Sequence, residues 1–211
     1  MARRPRVYVD GMAVHLIQRG NNRIAIFGEF ADYSAFLMML EEAATRHVVV
    51  VHAFVLMTNH YHLLATPANQ RSLSGMMQEL GVRYVRHFNR RHGRIGTLFN
   101  ERYRGKLVGD ERYVLTCLRY IEQNPVRAGM VATPGAYQWS TYRVHALGEP
   151  STFVRSHHVY ERLGRDPSER QAAYHAICGT ALTETELGEQ RYWGRSGDGV
   201  VSVPAPSPTQ R

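Results

Sequence analysis

The feature that most constrains the fold is a predicted hairpin in the middle of the first half of the chain. Residues 48–57 read Val48-Val49-Val50-Val51-His52-Ala53-Phe54-Val55-Leu56-Met57, a long apolar run rich in β-branched residues. Such a run predicts a central strand. Residues 60–66 predict a second strand, and Thr58-Asn59 between them can form a tight antiparallel turn. A chain with this hairpin at its centre is expected to build a sheet around it.

The second strand of the hairpin places two histidines side by side. Successive side chains of a strand point to opposite faces, so His60 and His62 share one face. The other face is apolar and carries Tyr61, Leu63 and Ala65. Neutral imidazole is a common metal ligand, so the pair is a candidate metal site. The alternative is that both are partly exposed sheet residues that bind no ligand.

The remaining patterns extend the hairpin to an α+β domain. The predicted elements are a strand at 13–18, a helix from Asp32, the strands 48–57 and 60–66, a helix at 73–91 capped by Ser72, a strand at 98–108 and a helix at 110–123. This order resembles a ferredoxin-like antiparallel sheet with helices packed on it and one additional helix. We divide the chain into a domain at 1–145, a C-terminal helical extension at 146–195 and a disordered tail at 196–211.

Positive charge is concentrated in one segment. The formal net charge is +8, and residues 81–106 hold eight basic residues and one acidic residue. A one-sign block interleaved with aromatic residues predicts a nucleic-acid surface, and a merely solubilising basic face is the alternative. The candidate contacts in this block are Arg83, Arg86, Arg90, Arg102, Arg104 and Lys106. A polar turn after the first strand adds Arg19, Asn21 and Asn22, which could contact phosphates or base edges.

Cysteine usage and hydropathy bear on the compartment. Cys117 and Cys178 lie far apart and outside any CxxC pattern, which argues against a disulfide framework or a structural zinc site. No stretch approaches the ~20 apolar residues of a membrane-spanning helix, and no signal peptide follows the basic N-terminus. We expect a soluble cytoplasmic protein that does not contact membranes.

The third predicted helix carries a second candidate constellation. Tyr113, Cys117, Tyr120 and Asn124 fall on one helical face, and the last two place a phenol and an amide one turn apart. A buried tyrosine on a helix is commonly a core residue. Asn124 precedes Pro125, which disfavours helical geometry at Asn124. We therefore expect Asn124 at a frayed helix end, where a capping role is the ordinary alternative.

Two motifs in this order resemble a known family. Asn59-His60-Tyr61-His62-Leu63-Leu64 and Arg119-Tyr120-Ile121-Glu122-Gln123-Asn124-Pro125-Val126-Arg127-Ala128-Gly129 resemble the single-tyrosine HUH transposases. The nearer match is the branch of REP-associated tyrosine transposases, which the segment His15 to Arg23 also resembles. The resemblance covers about residues 8–145, and it marks the domain at 1–145 as catalytic.

The resemblance implies specific roles. Tyr120 would be the nucleophile, His60 and His62 would be metal ligands, and Asn124 matches the third ligand position. Glu122 and Gln123 are alternatives for that third ligand. The mixed nitrogen and oxygen set suits Mg²⁺ or Mn²⁺.

The implied activity is cleavage and rejoining of DNA. Attack by Tyr120 would give a 5′-phosphotyrosine and a free 3′-OH, and a second 3′-OH could reverse the step. The implied partner is single-stranded DNA folded as a hairpin from a repetitive extragenic palindrome, contacted by the basic residues above and by Arg127. The protein would be nucleoid-associated, with no protein partner evident, and either a monomer or a homodimer. The rival hypotheses are a non-catalytic hairpin-binding protein and a metal-dependent nuclease that uses water.

Overall fold

The structure, a computed structural model, describes residues 10–191. Its sheet has four strands, namely β1 Ala13–Arg19, β2 Val49–Met57, β3 His60–Pro67 and β4 Arg104–Val108. The strand order is β2-β3-β1-β4, and all neighbouring strands are antiparallel. The predicted ferredoxin-like α+β architecture is therefore confirmed. The predicted tail at 196–211 lies outside the described residues.

Helices cover both faces of the sheet. They are α1 Phe30–Arg46, α2 Gln70–Arg91, α3 Glu111–Glu122, α4 Asn124–Arg127, α5 Tyr142–Leu147, α6 His158–Glu161, α7 Pro167–Cys178 and α8 Glu184–Arg191. The first two pack on one face, and α3 packs on the other together with the C-terminal helices. None of the helices between residues 10 and 191 is both long enough and apolar enough to cross a membrane.

The alternation along β3 divides its side chains between two cores. Tyr61 and Leu63 are fully buried in the core beneath α1 and α2, as the period-2 pattern predicts. Leu64 points the other way, into the core that α3 shares with α7 and α8. His60 and His62 lie on this second face with Leu64. The C-terminal helices thus complete the core on the face that carries the histidines.

Three predicted boundaries are wrong. The fourth strand begins at Arg104 rather than at residue 98. Residues 98–100 instead bond to the end of β1 and to the turn after it, since Asn100 N–H donates to Arg19 O and Asn21 N–H donates to Leu98 O. Asn69, not Ser72, caps α2, since its Oδ1 accepts from two backbone N–H groups. Helix α1 starts at Phe30, and Asp32 belongs to its capping box.

The chain at Asn124 also differs from expectation. Asn124 is helical and begins α4 directly after Gln123, the C-cap residue of α3. Ala128 N–H donates to Asn124 O and Arg127 N–H donates to Gln123 O, so the turns continue across the junction. Pro125 lacks an N–H, and the break it causes in the hydrogen-bond ladder is limited to its own position. The amide is therefore held on a nearly continuous helix instead of at a frayed end.

A histidine pair fastens the C-terminal segment to the sheet. His52 Nδ1 donates to Arg155 O (2.8 Å), and its ring packs against His157 at 4.9 Å between centroids. Burial, followed by the neighbouring His52, lowers the pKa of His157 to about 4, and burial lowers the pKa of His52. Both rings are consequently neutral in the folded protein near pH 7.

Acidification should therefore weaken the fold. Between about pH 6.5 and 4 the unfolded chain protonates His157 while the folded chain does not, so the free energy of unfolding falls as the pH falls. The His157→Asn variant keeps an N-cap acceptor for α6 but cannot titrate. In this variant the fall in the free energy of unfolding between about pH 6.5 and 4 should be smaller by about 2 kcal/mol, a value that allows for partial solvent screening. Urea unfolding measured across this pH range checks it, and an unchanged pH profile in the variant would contradict it.

Candidate active site

The fold brings the hairpin histidines and the α3 tyrosine together. The rings of His62 and Tyr120 lie 5.6 Å apart between centroids, and those of His60 and His62 lie 5.3 Å apart. Tyr120 is 8% exposed to solvent, and His62 is 3% exposed. Both line a cavity of about 310 Å³ that opens to the surface. The phenol is therefore packed against the imidazoles without being sealed in the core.

Hydrogen bonds orient both imidazoles. Asn59 Oδ1 can only accept, so the His60 Nδ1 at 2.7 Å from it must donate. His62 Nδ1 lies 2.9 Å from Nε2 of His15. Within residues 10–191, no hydrogen bond occupies the Nε2 atom of His60 or His62. A histidine that ligates a metal through one nitrogen usually fixes its other nitrogen in this way, so the two rings fit a metal site.

His15 is a site residue that the sequence analysis missed. It lies on β1, pairs with Leu64 across the strand, and so reaches His62 diagonally. Its ring also contacts Tyr120 edge to face at 5.9 Å. Only the β1–β3 register, which the sequence does not reveal, makes this position distinguishable from any other strand histidine.

Burial keeps the three imidazoles neutral. Desolvation lowers the pKa of His15 to about 3 and that of His60 to about 4, with Lys106 and Arg19 adding to the respective shifts. Desolvation also places the pKa of His62 well below its usual value, with further lowering by the adjacent histidines. Neutral imidazoles have lone pairs available for a cation, which is the form that a metal site requires.

The structure separates the three candidates for a third ligand. Glu122 Oε1 accepts from Thr141 Oγ1 at 2.6 Å and pairs with His145, and Tyr174 donates to its other oxygen. Gln123 Nε2 donates to Cys178 O at 2.6 Å. Both side chains are thus engaged with the C-terminal elements.

Asn124 is placed differently. It lies one helical turn after Tyr120, 8% exposed, on a short helix that packs against β2, the strand beside β3. Its Nδ2 is buried without a hydrogen-bond partner among residues 10–191. The assignment of O and N in an amide can be reversed. An amide in these surroundings suits a site in which Oδ1 is bound by a cation.

The Glu122 network ties the helix that carries Tyr120 to the C-terminal extension. Glu122, Thr141 and Tyr174 are fully buried, and His145 is 1% exposed. The carboxyl group accepts hydrogen bonds from groups on α5, on α7 and in the segment before α5. Its removal would leave these buried groups without an acceptor.

We expect Glu122→Ala to lower the free energy of unfolding by about 3 kcal/mol, because a buried polar network loses its common acceptor. The matched control is Glu149→Ala, which removes a surface carboxylate paired with Arg143. This control should have little effect, because exposed ion pairs contribute little to stability. Urea denaturation of both variants checks the difference, and equal effects would contradict it.

Four of the predicted DNA-binding arginines surround the site. Arg19, Arg102 and Arg104 line the cavity, and Arg104 also pairs with Glu101. The Arg127 guanidinium lies 4.5 Å from the centroid of the Tyr120 ring. The cavity therefore combines a phenol and neutral imidazoles with several cations, a composition suited to a phosphate group.

The basic block of the sequence is divided between two faces. Arg83, Arg86 and Arg90 lie on α2, which covers the opposite face of the sheet, and Arg83 pairs with Glu42 and Glu79. Lys106 lies on β4 but donates to Glu189 O and sits 4.4 Å from the centroid of the Tyr113 ring. Their role in DNA binding stays a prediction.

The polar turn after β1 lies at the histidine end of the hairpin. Residues Asn21–Arg23 form a single 3₁₀ turn in which Asn22 has a left-handed backbone, with φ of 48°. Gly20 N–H donates to Asn59 O, and Asn59 Nδ2 donates to Arg23 O. The structure thus places this polar turn beside Asn59, the residue that orients His60.

A second group of possible metal ligands lies elsewhere. Oxygen or nitrogen atoms of Glu29, Asp32 and His92 fall within 4.8 Å of one another. Asp32 already accepts from the backbone N–H of Gly28 and pairs with His92. Glu29 pairs with Arg91, whose guanidinium would compete with a cation. The three residues therefore form a capping box at the start of α1 together with ion pairs to the end of α2.

A sequence model of a protein family matches this chain and identifies its family. The model for "Transposase IS200 like" matches residues 8–124, which is more than half of the chain. The chain belongs to the IS200-like transposase family. Members of a transposase family are expected to cleave DNA, and the matched region contains β1, the hairpin and α3 with Tyr120. No curated protein sequence resembles this chain closely enough to count as a match.

One of two similar solved structures shows the same fold. A REP-associated tyrosine transposase bound to a REP hairpin superposes with a TM-score of 0.56 at 15% identity, covering 74% of this chain and 93% of that chain. A protein from Deinococcus radiodurans R1, assigned provisionally as a transposase, gives a TM-score of 0.40 at 22% identity over 58% of this chain and 97% of that chain. At these identities the first likeness establishes the fold only.

Proposed function

We propose that this IS200-like transposase cleaves and rejoins single-stranded DNA through a covalent bond to Tyr120. The observation that carries the proposal is the contact between the Tyr120 phenol and the His62 imidazole, 5.6 Å between ring centroids, at a cavity lined by arginines. A tyrosine placed next to metal-ligand candidates and cations is suited to nucleophilic attack on phosphorus.

The arginines bind the DNA phosphate, and the Tyr120 phenol attacks it. The guanidinium groups of Arg19, Arg102 and Arg127 bind and orient the negatively charged phosphodiester. The Tyr120 oxygen then forms a bond to phosphorus, and the bond from phosphorus to the 3′ oxygen breaks. The phenol loses its proton, and the 3′ oxygen leaves as a hydroxyl once it is protonated. The phosphotyrosine retains the ester, so another 3′-OH can reverse the step without a further energy source.

The proposed metal dependence rests on the two histidines of β3 and on Asn124, one helical turn after Tyr120. His60 and His62 through Nε2, with Asn124 through Oδ1, would hold Mg²⁺ or Mn²⁺, and such an ion supplies charge neutralisation at the phosphate and the leaving oxygen. Within the protein, Asn59 and His15 fix the two rings so that the Nε2 atoms stay available. This arrangement keeps the ligands in place before any DNA binds.

The substrate class follows from the fold and the charge. The REP-associated tyrosine transposase of the same fold was solved with a REP hairpin, and we propose a hairpin-forming single strand as the substrate here. Tyr120 contacts His62 of its own chain, and we propose that the first step uses the tyrosine and the histidines of one chain, in a monomer or within a homodimer.

The decisive experiment is a search for the covalent intermediate. Hairpin DNA labelled downstream of the cleavage position is incubated with protein and Mg²⁺, and the mixture is separated on a denaturing gel. Wild-type protein and Tyr113→Phe should form the adduct, whereas Tyr120→Phe should reduce it at least 100-fold because it lacks the attacking oxygen. Tyr113 is the matched control, because it lies on the same helix and loses the same atom.

The same gel separates the rival functions. EDTA, His60→Ala and His62→Ala should each abolish the adduct while hairpin binding persists. Cleavage without an adduct would show that water is the nucleophile, and binding without any metal-dependent cleavage would show a non-catalytic binding protein. Either result contradicts the proposal.

Substitution of an arginine at the cavity should weaken DNA binding more than substitution of an arginine on α2. With a short unpaired oligonucleotide, Arg102→Ala should weaken binding several-fold and lower the slope of log affinity against log salt by about 1, because one phosphate contact is lost. Arg86→Ala is the matched control, since it removes an exposed arginine from α2 on the opposite face. Fluorescence anisotropy over a range of salt concentrations measures both, and equal losses would show that α2 also binds the strand.

A further inference from the structure

We propose that Gln190 of α8 is a positioning residue, which acts through His15 to keep the Nε2 lone pair of His62 available for a divalent cation. This inference rests on the proposed function, and Gln190 lies outside the region matched by the family model, residues 8–124. It gives the C-terminal extension a part in preparing the proposed metal site.

A row of hydrogen-bonded side chains leads from α8 to the second histidine of β3. Gln190 is 1% exposed, and its amide makes side-chain hydrogen bonds to His15 and Tyr113. Nε2 of His15 lies 2.9 Å from Nδ1 of His62, and the two rings stack with 5.1 Å between their centroids. Because Nε2 of His15 faces His62, Nδ1 is the nitrogen left to face Gln190. The row is therefore continuous, and its members are buried.

The proton positions along this row depend on one another. A neutral imidazole carries one N–H and one lone pair, so His62 can bind a cation through Nε2 only with its proton on Nδ1. That N–H donates to Nε2 of His15, which must then carry its own proton on Nδ1. A buried N–H at this position needs an acceptor, and the amide oxygen of Gln190 supplies it.

The effects of Gln190 on its two neighbours agree with this orientation of the amide. Burial and Lys106 lower the pKa of His15 to about 3, and the hydrogen bond with Gln190 opposes them, as an acceptor facing an imidazole N–H does. Burial raises the pKa of Tyr113, and the hydrogen bond with Gln190 opposes this rise, as a donor facing the phenol oxygen does. The amide oxygen therefore faces His15, and the amide nitrogen faces Tyr113.

Contacts on two sides of α8 hold Gln190 in place. Glu186 Oε1 accepts from Arg119 Nη1 at 3.1 Å, and Leu187 is buried in the core shared with α3. Arg119 directly precedes Tyr120 in sequence, so α8 is attached to the helix that carries the nucleophile. Fixed partners behind a metal-binding histidine set the orientation of its ring and its tautomer. Gln190 is placed to have this effect on His62 through His15.

Loss of the acceptor should reverse the protons along the row. Gln190→Met keeps the length of the side chain but removes the amide oxygen, so a proton on Nδ1 of His15 would be buried without an acceptor. His15 should then carry its proton on Nε2 and donate it to Nδ1 of His62. The proton of His62 moves to Nε2, and the lone pair that would bind the cation is lost.

Nitrogen-15 NMR of the full-length, metal-free protein reports these tautomers. Correlations between ring nitrogens and ring protons should show His62 protonated on Nδ1 in wild type and in Thr185→Ala, which truncates an exposed residue of α8. Gln190→Met should be protonated mainly on Nε2 of His62. Gln190→Glu should resemble wild type, because a carboxyl group offers an oxygen acceptor to His15 whether it is ionised or protonated.

Mn²⁺ binding in the absence of DNA gives the second readout. Electron paramagnetic resonance measures the free ion during a titration. Gln190→Met should bind Mn²⁺ about tenfold more weakly than wild type, the low end of the effect of removing an outer partner of a metal-binding histidine. Gln190→Glu and Thr185→Ala should bind it like wild type. Thermal unfolding of each variant verifies that the fold persists under the conditions of both measurements.

The outcomes distinguish this inference from the proposed function. If Gln190→Met keeps the wild-type tautomer of His62, the inference is wrong and the proposed function stands. If Gln190→Met weakens Mn²⁺ binding and Gln190→Glu weakens it equally, Gln190 acts only through packing and the inference is also wrong. If wild-type protein forms no DNA adduct, the proposed function fails, and NMR of the metal-free protein still decides whether Gln190 sets the tautomer.

Discussion

The antiparallel pairing of β1 with β3 is the interaction on which the site depends. It sets Ile17 opposite His62 and His15 opposite Leu64. Because side chains alternate across the strands, this register sends His15 and His62 to the same face, where they meet at 2.9 Å. A slip of one residue would send β1 side chains of the wrong face toward His62 and leave its Nδ1 without this partner. The orientation of His62 therefore depends on the pairing of β1 with β3.

The second requirement is the placement of α3 over that face. Leu118 and Ile121 bury the helix in the shared core, and the Glu122 carboxyl group binds partners in the C-terminal half of the chain. Polar contacts at Gln123 and Arg119 add attachments to the end of α7 and to the segment after it. The extension thus packs against the helix that carries the tyrosine, and its helices share a core with α3.

Charge is distributed so that the cavity keeps its arginines while much of the remaining basic surface is paired or distant. Arg83 on α2 is matched by two glutamates, and Lys106 is partly buried against Tyr113. The number of basic residues between positions 81 and 106 is therefore larger than the number of cations that any one face exposes to DNA. Cations close to the phenol come from three separate segments, represented by Arg19, Arg102 and Arg127.

The sequence by itself determined the order of the main strands and helices and the faces on which His60, His62 and Tyr120 lie. The period-2 pattern of β3 set His60 and His62 apart from the apolar side chains, and the helical spacing put Asn124 one turn after Tyr120. These are local properties of strands and helices, so the printed sequence contains them. The same local reasoning misplaced the start of β4, because the bonds of residues 98–100 to β1 and Asn21 are long-range.

Only the tertiary structure decided which side chains share the cavity. His15 and Gln190 reach it through strand register and through packing of α8, and neither is encoded in the spacing of any motif. The engagement of Glu122 and Gln123 by distant elements, which leaves Asn124 as the remaining ligand candidate, likewise depends on contacts across 19 to 55 residues. Long-range packing, unlike periodicity, depends on the whole chain, and for that reason these features could not be read from the sequence.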